Sequence, residues 1–467
     1  MTTSDTTSDT SRQLTATATN RYLEGNFAPV PDEITVTDLE VVGTIPPALA
    51  GRYVRTGPNP VAADPAKHHW FVGDGMLHGV DLHDGAARWY RNRWVRSPEI
   101  AARTGAPEVP APDEGGLFAG SGNTNVIHHA GRMWALNELS LPYEISPELE
   151  TIRRWDFGGP LPAGINAHPK FEADGHLHVM AYSFVEPFCW YVEIDAAGEI
   201  VRNEPIAMGG PVMVHDMGLT ERYAIVFDLP VVFDLERAIA GVPLPYVWDP
   251  DYAPRVGLLP RAGTAADTIW IDAPQCYVFH PLNAYDDGDR VVIDLVRHPS
   301  MFRTDFRGPN EGTPVLERWA IDPAARTIAT SVVDDRSQEF PRADERLAAR
   351  RHRYGYTLSA SLTELGGAGD RSTSILKHDL DAGATTAHDL GRGRVGSEFV
   401  FVPAAPDAGE DEGWLMGYVY DGSTDSSDLV ILDAHDFGSD PVATVKVPRR
   451  VPAGFHGNWI PDRALGG

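Results

Sequence analysis

The chain has 467 residues, with 66 acidic against 39 basic side chains and a formal net charge of −27. That excess of negative charge excludes a polyanionic partner such as nucleic acid and otherwise serves solubility. Two cysteines, Cys189 and Cys276, exclude a disulfide framework and favour a cytoplasmic setting, and no run of 18 apolar residues offers a membrane-spanning helix.

The first stretch, MTTSDTTSDTSRQLTATATN, has neither a basic region nor an apolar one. It is no secretory signal, and its Ser/Thr/Asp content predicts a disordered tail over 1–19. Residues 20–467 show no linker and are expected to form one domain. Short strand-like runs follow at 88–95 (RWYRNRWV), 125–136, 175–182, 190–200, 222–227, 268–279, 290–297, 315–321, 327–333, 374–380, 414–420 and 429–432. Asp-Gly turn signals at Asp84, Asp174, Asp287 and Asp421 separate several of them. Helical periodicity is scarce. Many short strands with regular turns imply a sandwich, a barrel or a propeller, and the length favours the propeller. No exact repeat of the WD or kelch type supports that choice. Two stretches break the pattern and are expected to rise above the ring. One is the apolar, proline-rich 235–261; the other is 342–353 (RADERLAARRHR), which can hold one or two helical turns.

Four histidine-centred motifs carry the chemistry: NAHPK at His168, VHDMG at His215, VFHPLNAY at His280 and GFHGNW at His456. They are too far apart in sequence to form a local metal loop. Each sits at a strand-like edge followed by a turn signal. A ring of sheets, each sending one imidazole from its inner edge, would bring them to a common axis. Four neutral nitrogens there suit a divalent transition metal. Three glutamates stand in apolar strand contexts: Glu138 in WALNELS, Glu339 in SQEFPR and Glu398 in GSEFVFVP. A buried carboxylate needs a partner, and a metal-bound imidazole donates its other ring N–H to such a group. A lone histidine is more often a hydrogen-bonded structural residue, and the chain has 17, so spacing alone does not select these four. His176 with His178, His128 with His129, and His68 with His69 are expected to be surface strand residues.

Taken in order, these motifs resemble those of the carotenoid cleavage oxygenase family over most of the chain. The carriers are LEGNFAPVPDEITVTDLEVVGTIPPALAGRYVRTGPNP, KHHWFVGDGMLHGV, WALNELSLPYEISPELETI, HDMGLTERYAIVFDLP, FHPLNAY, EFPR, SEFVFVP and FHGNW. The resemblance implies a seven-bladed β-propeller, capped by loops and short helices, with Fe(II) on its axis. It implies His168, His215, His280 and His456 as the iron ligands, and Glu138, Glu339 and Glu398 as carboxylates behind three of them. Thr124, in GNTNV, is similar to a threonine whose methyl crowds one coordination position. Phe279 is expected beside the metal, lining the substrate tunnel.

The activity so implied is dioxygenase cleavage of a conjugated C=C bond by O2, giving two carbonyl products, with no acid–base residue beyond the metal centre. The expected substrate is a carotenoid or apocarotenoid, with 235–261 and Trp248 either a membrane-facing lip or a packed cap. The alternative is a phenolic stilbene or phenylpropenoid. Family members that cleave those place a lysine directly before the first glutamate; here that position is Asn137, and only Tyr90 and Tyr143 offer a phenol contact. A non-catalytic propeller, the rival from another class, predicts neither iron nor O2 uptake. Isomerisation without O2 occurs among relatives, and nothing in this sequence points to it.

Overall fold

The computed structural model describes residues 19–112, 119–159, 161, 163–309, 311–367 and 372–465. The tail expected over 1–19 lies, apart from Thr19, outside the described residues. Seven antiparallel sheets form the blades of a β-propeller. Blade one orders its strands Gly457–Pro461, Gly51–Pro58, Gly75–His83, Ala86–Trp94 and Thr35–Val36, counting outward from the axis. Blades two to six each run four strands outward in chain order. They begin at Asn125–His129, Lys170–Phe171, Met217–Leu219, Tyr277–Asp287 and Glu339–Arg342. Blade seven is built on Gly413–Asp421, which pairs inward with Arg394–Gly396 and Val400–Pro403, and it ends at its outer edge with Val41–Gly43.

The ring is thus closed twice. A late strand, Gly457–Pro461, opens blade one, and an early strand, Val41–Gly43, finishes blade seven. Closure removes the unpaired edges that an open sheet would leave. Neighbouring blades cover both faces of the middle strands. All eight residues of Gly51–Pro58 and all six of Leu177–Tyr182 are therefore buried, whereas the rim strand Thr327–Asp334 is mostly exposed. The expected tight turns are present. Asp84 and Gly85 both take positive φ (52° and 74°), the left-handed pair a two-residue hairpin requires.

Three expectations need correction. The runs 190–200 and 268–279 each cross a loop, joining Cys189–Ile194 to Ile200–Ile206 and Ile269–Asp272 to Tyr277–Asp287. Only the first part of 235–261 caps the ring, because Arg255–Pro260 is the third strand of blade four. The cap itself is a hairpin, Val231–Phe233 with Tyr246–Trp248, carrying the helix Leu235–Ile239. The excursion at 342–353 holds one 3-10 turn, Glu345–Leu347. The histidine pairs are not surface strand residues. His178 is fully buried, with Nδ1 on the Tyr191 hydroxyl (2.6 Å) and Nε2 on Glu172 (2.9 Å). His176 is half-buried against Glu193, His129 is buried, and His128 stacks on Phe171. His68 and His69 are buried in the loop between Gly51–Pro58 and Gly75–His83.

Candidate metal centre and its cavity

His168, His215, His280 and His456 converge. One ring nitrogen from each lies within 4.8 Å of the others. They come from blades three, four, five and one, each just before or within an innermost strand. The three blades that send no imidazole each send a carboxylate instead: Glu138 from blade two, Glu339 from blade six and Glu398 from blade seven. Local backbone irregularity aims these groups. The pairing register of Tyr277–Asp287 slips on both sides of Pro281, beside His280, and that of Glu339–Arg342 slips after Glu339. Such bulges redirect a side chain out of the pleat. Leu139 and Phe340, directly after Glu138 and Glu339, both hold left-handed φ of 58° and 55°. These are sparsely populated for such residues and tolerated where surrounding structure enforces them.

The hydrogen bonds fix the rings. His280 Nδ1 donates to Glu339 Oε2 at 2.7 Å, and His456 Nδ1 donates to Glu398 Oε1 at 2.9 Å. His215 Nδ1 donates to Glu138, whose other oxygen accepts the Tyr182 hydroxyl. With Nδ1 protonated, each Nε2 presents a lone pair toward the centre. The Nε2 atoms of His215 and His280 stand 3.2 Å apart. His168 differs, since its Nδ1 lies 3.8 Å from Asp216, beyond hydrogen-bond reach. Its Nε2 is buried without a partner among the described residues.

Burial, with the other three imidazoles and Lys170, holds His168 well below the ordinary histidine range. Burial also pushes His280 down to about 4, against the opposing pull of Glu339. Burial would raise Glu339, but His280 and His298 outweigh it and hold the carboxyl well below its usual range. For Glu398 the rise from burial is overcome by Arg342 and His456, leaving it at about 2. Three imidazoles whose Nδ1 is held by a carboxylate, and a fourth with an unpartnered buried Nε2, are a donor set that fits a transition metal.

The cluster lies against a cavity of about 840 Å³ that also reaches the cap. Phe71, Phe279, Phe340 and Phe455 wall it near the imidazoles. Phe71 packs edge-on against both Phe279 (5.8 Å) and Phe455 (5.5 Å), and Phe279 meets the His215 ring at 5.0 Å. Thr124 also lines the cavity, and its carbonyl accepts the His456 N–H at 3.0 Å. Asn137 lines it as well, with its side-chain oxygen engaged by the Ser121 N–H. Tyr90 and Tyr143 do not line it. Both are fully buried elsewhere, on His78 and on the Gly120 carbonyl. Sequence reasoning placed Phe279 here but missed Tyr182, His298 and the rest of the aromatic wall, Phe71, Phe340 and Phe455. A usable signal was present for the wall, because Phe340 follows Glu339 and Phe455 precedes His456, as Phe279 precedes His280.

The family described as retinal pigment epithelial membrane protein (RPE65) matches residues 27–461. The chain belongs to this family. A carotenoid cleavage oxygenase of Mycobacterium tuberculosis is 42% identical, over 96% of this chain and 98% of that protein. Carotenoid 9,10(9',10')-cleavage dioxygenase 1 of Arabidopsis thaliana is 33% identical, over 95% of this chain and 90% of its own length. Among solved structures, the lignostilbene dioxygenase of Pseudomonas brassicacearum superposes with a TM-score of 0.85 at 28% identity, covering 95% of this chain and 98% of that one. The cobalt-substituted apocarotenoid oxygenase (ACO) of Synechocystis gives 0.81 at 26% identity, covering 94% and 98%. The resemblance read from the motifs is thereby borne out.

Proposed function

We propose that His168, His215, His280 and His456 hold Fe(II), and that the enzyme cleaves a conjugated C=C bond of a carotenoid or apocarotenoid with O2 to give two carbonyl products. The observation that carries this reading is the convergence of four imidazoles, three of them backed by carboxylates, at an aromatic-walled cavity. Bound iron supplies the activation of O2, which closed-shell organic groups lack. The chain's own residues do the rest. Glu138, Glu339 and Glu398 hold the imidazole tautomer and direction. Phe71, Phe279, Phe340 and Phe455 keep water out and orient a flat polyene, so that one double bond meets the centre in a fixed pose. Thr124 narrows the approach to the imidazoles. Residues 20–467 act as one catalytic domain.

The substrate class partitions into lipid, and the side chains near the cap suit delivery from a membrane surface. Ile239 and Leu235 of the cap helix are 79% and 63% exposed, and Val72, also on the cavity rim, is 45% exposed. No helix among the described residues is long and apolar enough to cross a membrane. These exposed apolar side chains support peripheral contact of the cap with a membrane surface.

A hydroxystilbene is the competing substrate, favoured by the similarity to the lignostilbene dioxygenase. Asn137, held by Ser121, stands where the phenol-binding lysine is expected, which weighs against it. Incubating iron-loaded protein with an apocarotenal and with a hydroxystilbene separates the two. We expect O2 uptake and two carbonyl products from the apocarotenal. Cleavage of the stilbene alone would reverse the order, and failure of the protein to bind iron, or of the iron-loaded protein to take up O2 with either substrate, would refute both.

A further inference from the structure

One histidine that the metal centre does not use lines the same cavity and carries an unanswered hydrogen-bond donor. His69 lines the cavity, is 2% exposed, and sits edge-on to Phe71 at 5.2 Å. Its Nδ1 accepts the Phe71 backbone N–H at 3.0 Å. An acceptor at Nδ1 leaves the proton of a neutral ring on Nε2. That Nε2 is buried and has no partner among the described residues. Burial, reinforced by His68, lowers the ring to about 3, so it is neutral at any physiological pH.

The loop that presents His69 is tied down. The Asn20 side-chain amide donates to the carbonyls of Pro65 (3.1 Å) and His68 (2.9 Å), and the Trp70 N–H donates to the Arg307 carbonyl (3.0 Å). The donor is therefore held in place before a ligand arrives. A second polar atom makes the same demand. The Tyr246 hydroxyl, on the cap hairpin, is buried and unpartnered, and the residue lines the same cavity. A cavity built only for a hydrocarbon would leave both groups desolvated with nothing in return.

We propose that His69 is a specificity-determining residue whose Nε2–H donates to an oxygen at one end of the polyene, so that the substrate is an oxygenated apocarotenoid bearing a carbonyl or hydroxyl group rather than a pure hydrocarbon. This deepens the reading of the cavity as a polyene site and rests on it. The ring contacts from His69 toward the metal centre pass through Phe71 to Phe279 and Phe455, so it acts as a remote anchor that selects which double bond lies at the imidazoles. It takes no part in the chemistry.

The test uses the iron-loaded full chain without O2, so that binding is read apart from turnover, by quenching of tryptophan fluorescence. The ligands are an apocarotenal and a hydrocarbon polyene of the same length. His69→Asn keeps an acceptor near the Nδ1 position for the Phe71 N–H but leaves no N–H at the Nε2 position, its shorter amide ending a bond earlier; His69→Gln returns an amide N–H near the Nε2 position. Wild type should bind the aldehyde more tightly than the hydrocarbon. His69→Asn should weaken aldehyde binding roughly tenfold and leave the hydrocarbon unchanged, as expected for one lost hydrogen bond in a dry site. His69→Gln should recover part of the loss. Equal loss for both ligands would mark His69 as merely structural, and no loss for either would mean that water answers the donor; both results overturn the inference. Wild type that binds the aldehyde through His69 yet consumes no O2 would instead refute the proposed oxygenase activity while the anchor stands.

Discussion

At the scale of single residues, the three carboxylates behind the imidazoles differ in their second contacts. Glu339 is the most heavily committed, bridging His280 and His298 (2.6 Å) from a fully buried position. Replacing it by Gln should lower iron affinity or turnover by roughly 10- to 100-fold, read as iron per chain and as kcat. Asp216 stands beyond hydrogen-bond reach of His168 and is engaged by Lys170 at 2.8 Å. Asp216→Asn should therefore retain nearly full iron content, and a loss as large as that of Glu339→Gln would contradict this division. The imidazoles and glutamates were legible because their motifs, taken in order, carry the family resemblance; turn signals and apolar flanks alone do not select four of 17 histidines. His298 was not, since it is the last residue of an ordinary strand, RVVIDLVRH, and only the folded register carries it to Glu339.

At the scale of elements, blade one brings the His456 segment against its second strand. Thr56 exchanges backbone bonds with Phe455 and His456, and the chain crosses so closely that a Cβ on Gly57 would lie 2.6 Å from the Gly454 Cα. Because the clash is with backbone, Gly57→Ala should destabilise the fold by about 2 kcal/mol, as overpacking does, and should loosen iron retention through His456. Denaturant midpoint and metal content measured together would check it. Unchanged iron retention would separate the crossing from the metal centre. The misread histidine pairs belong to this scale too. Alternation along GHLHVMAY groups His176 with His178 on one strand face, but a two-fold period cannot say whether that face meets water. Here Tyr191 and Glu172 of the same blade close on His178, and Arg261, at the end of a strand of the next blade, pairs with Glu172. The cap was mis-bounded for a similar reason. An apolar stretch such as 235–261 reads alike whether it covers a ring or, as Arg255–Pro260 does, runs inside one.

For the whole molecule, burial of neutral histidines sets the response to acid. Burial lowers His69 to about 3, and His352 and His378 to about 4, against an ordinary value near 6.5. Between those values the unfolded chain binds protons that the folded chain does not, so stability falls as pH drops from about 6.5 toward 4, at about 1.4 kcal/mol per pH unit for each fully titrating group. Glu398 and Asp334, each held at about 2, extend the loss to lower pH, because their contribution disappears as they protonate. Urea midpoints at pH 7.5 should clearly exceed those at pH 5; a flat profile would count against these buried neutral rings. The order of the four imidazoles along the chain has one more effect. Three are delivered within residues 168–280, while His456 arrives only with the strand that shuts the ring, so the complete donor set exists only once all seven blades are assembled. A metal ion must then reach the finished centre through the aromatic chamber, where His215, His280 and His456 all face. Cargo and cofactor would share one doorway, and a chelator should strip iron more slowly from protein whose chamber is filled by an uncleavable polyene.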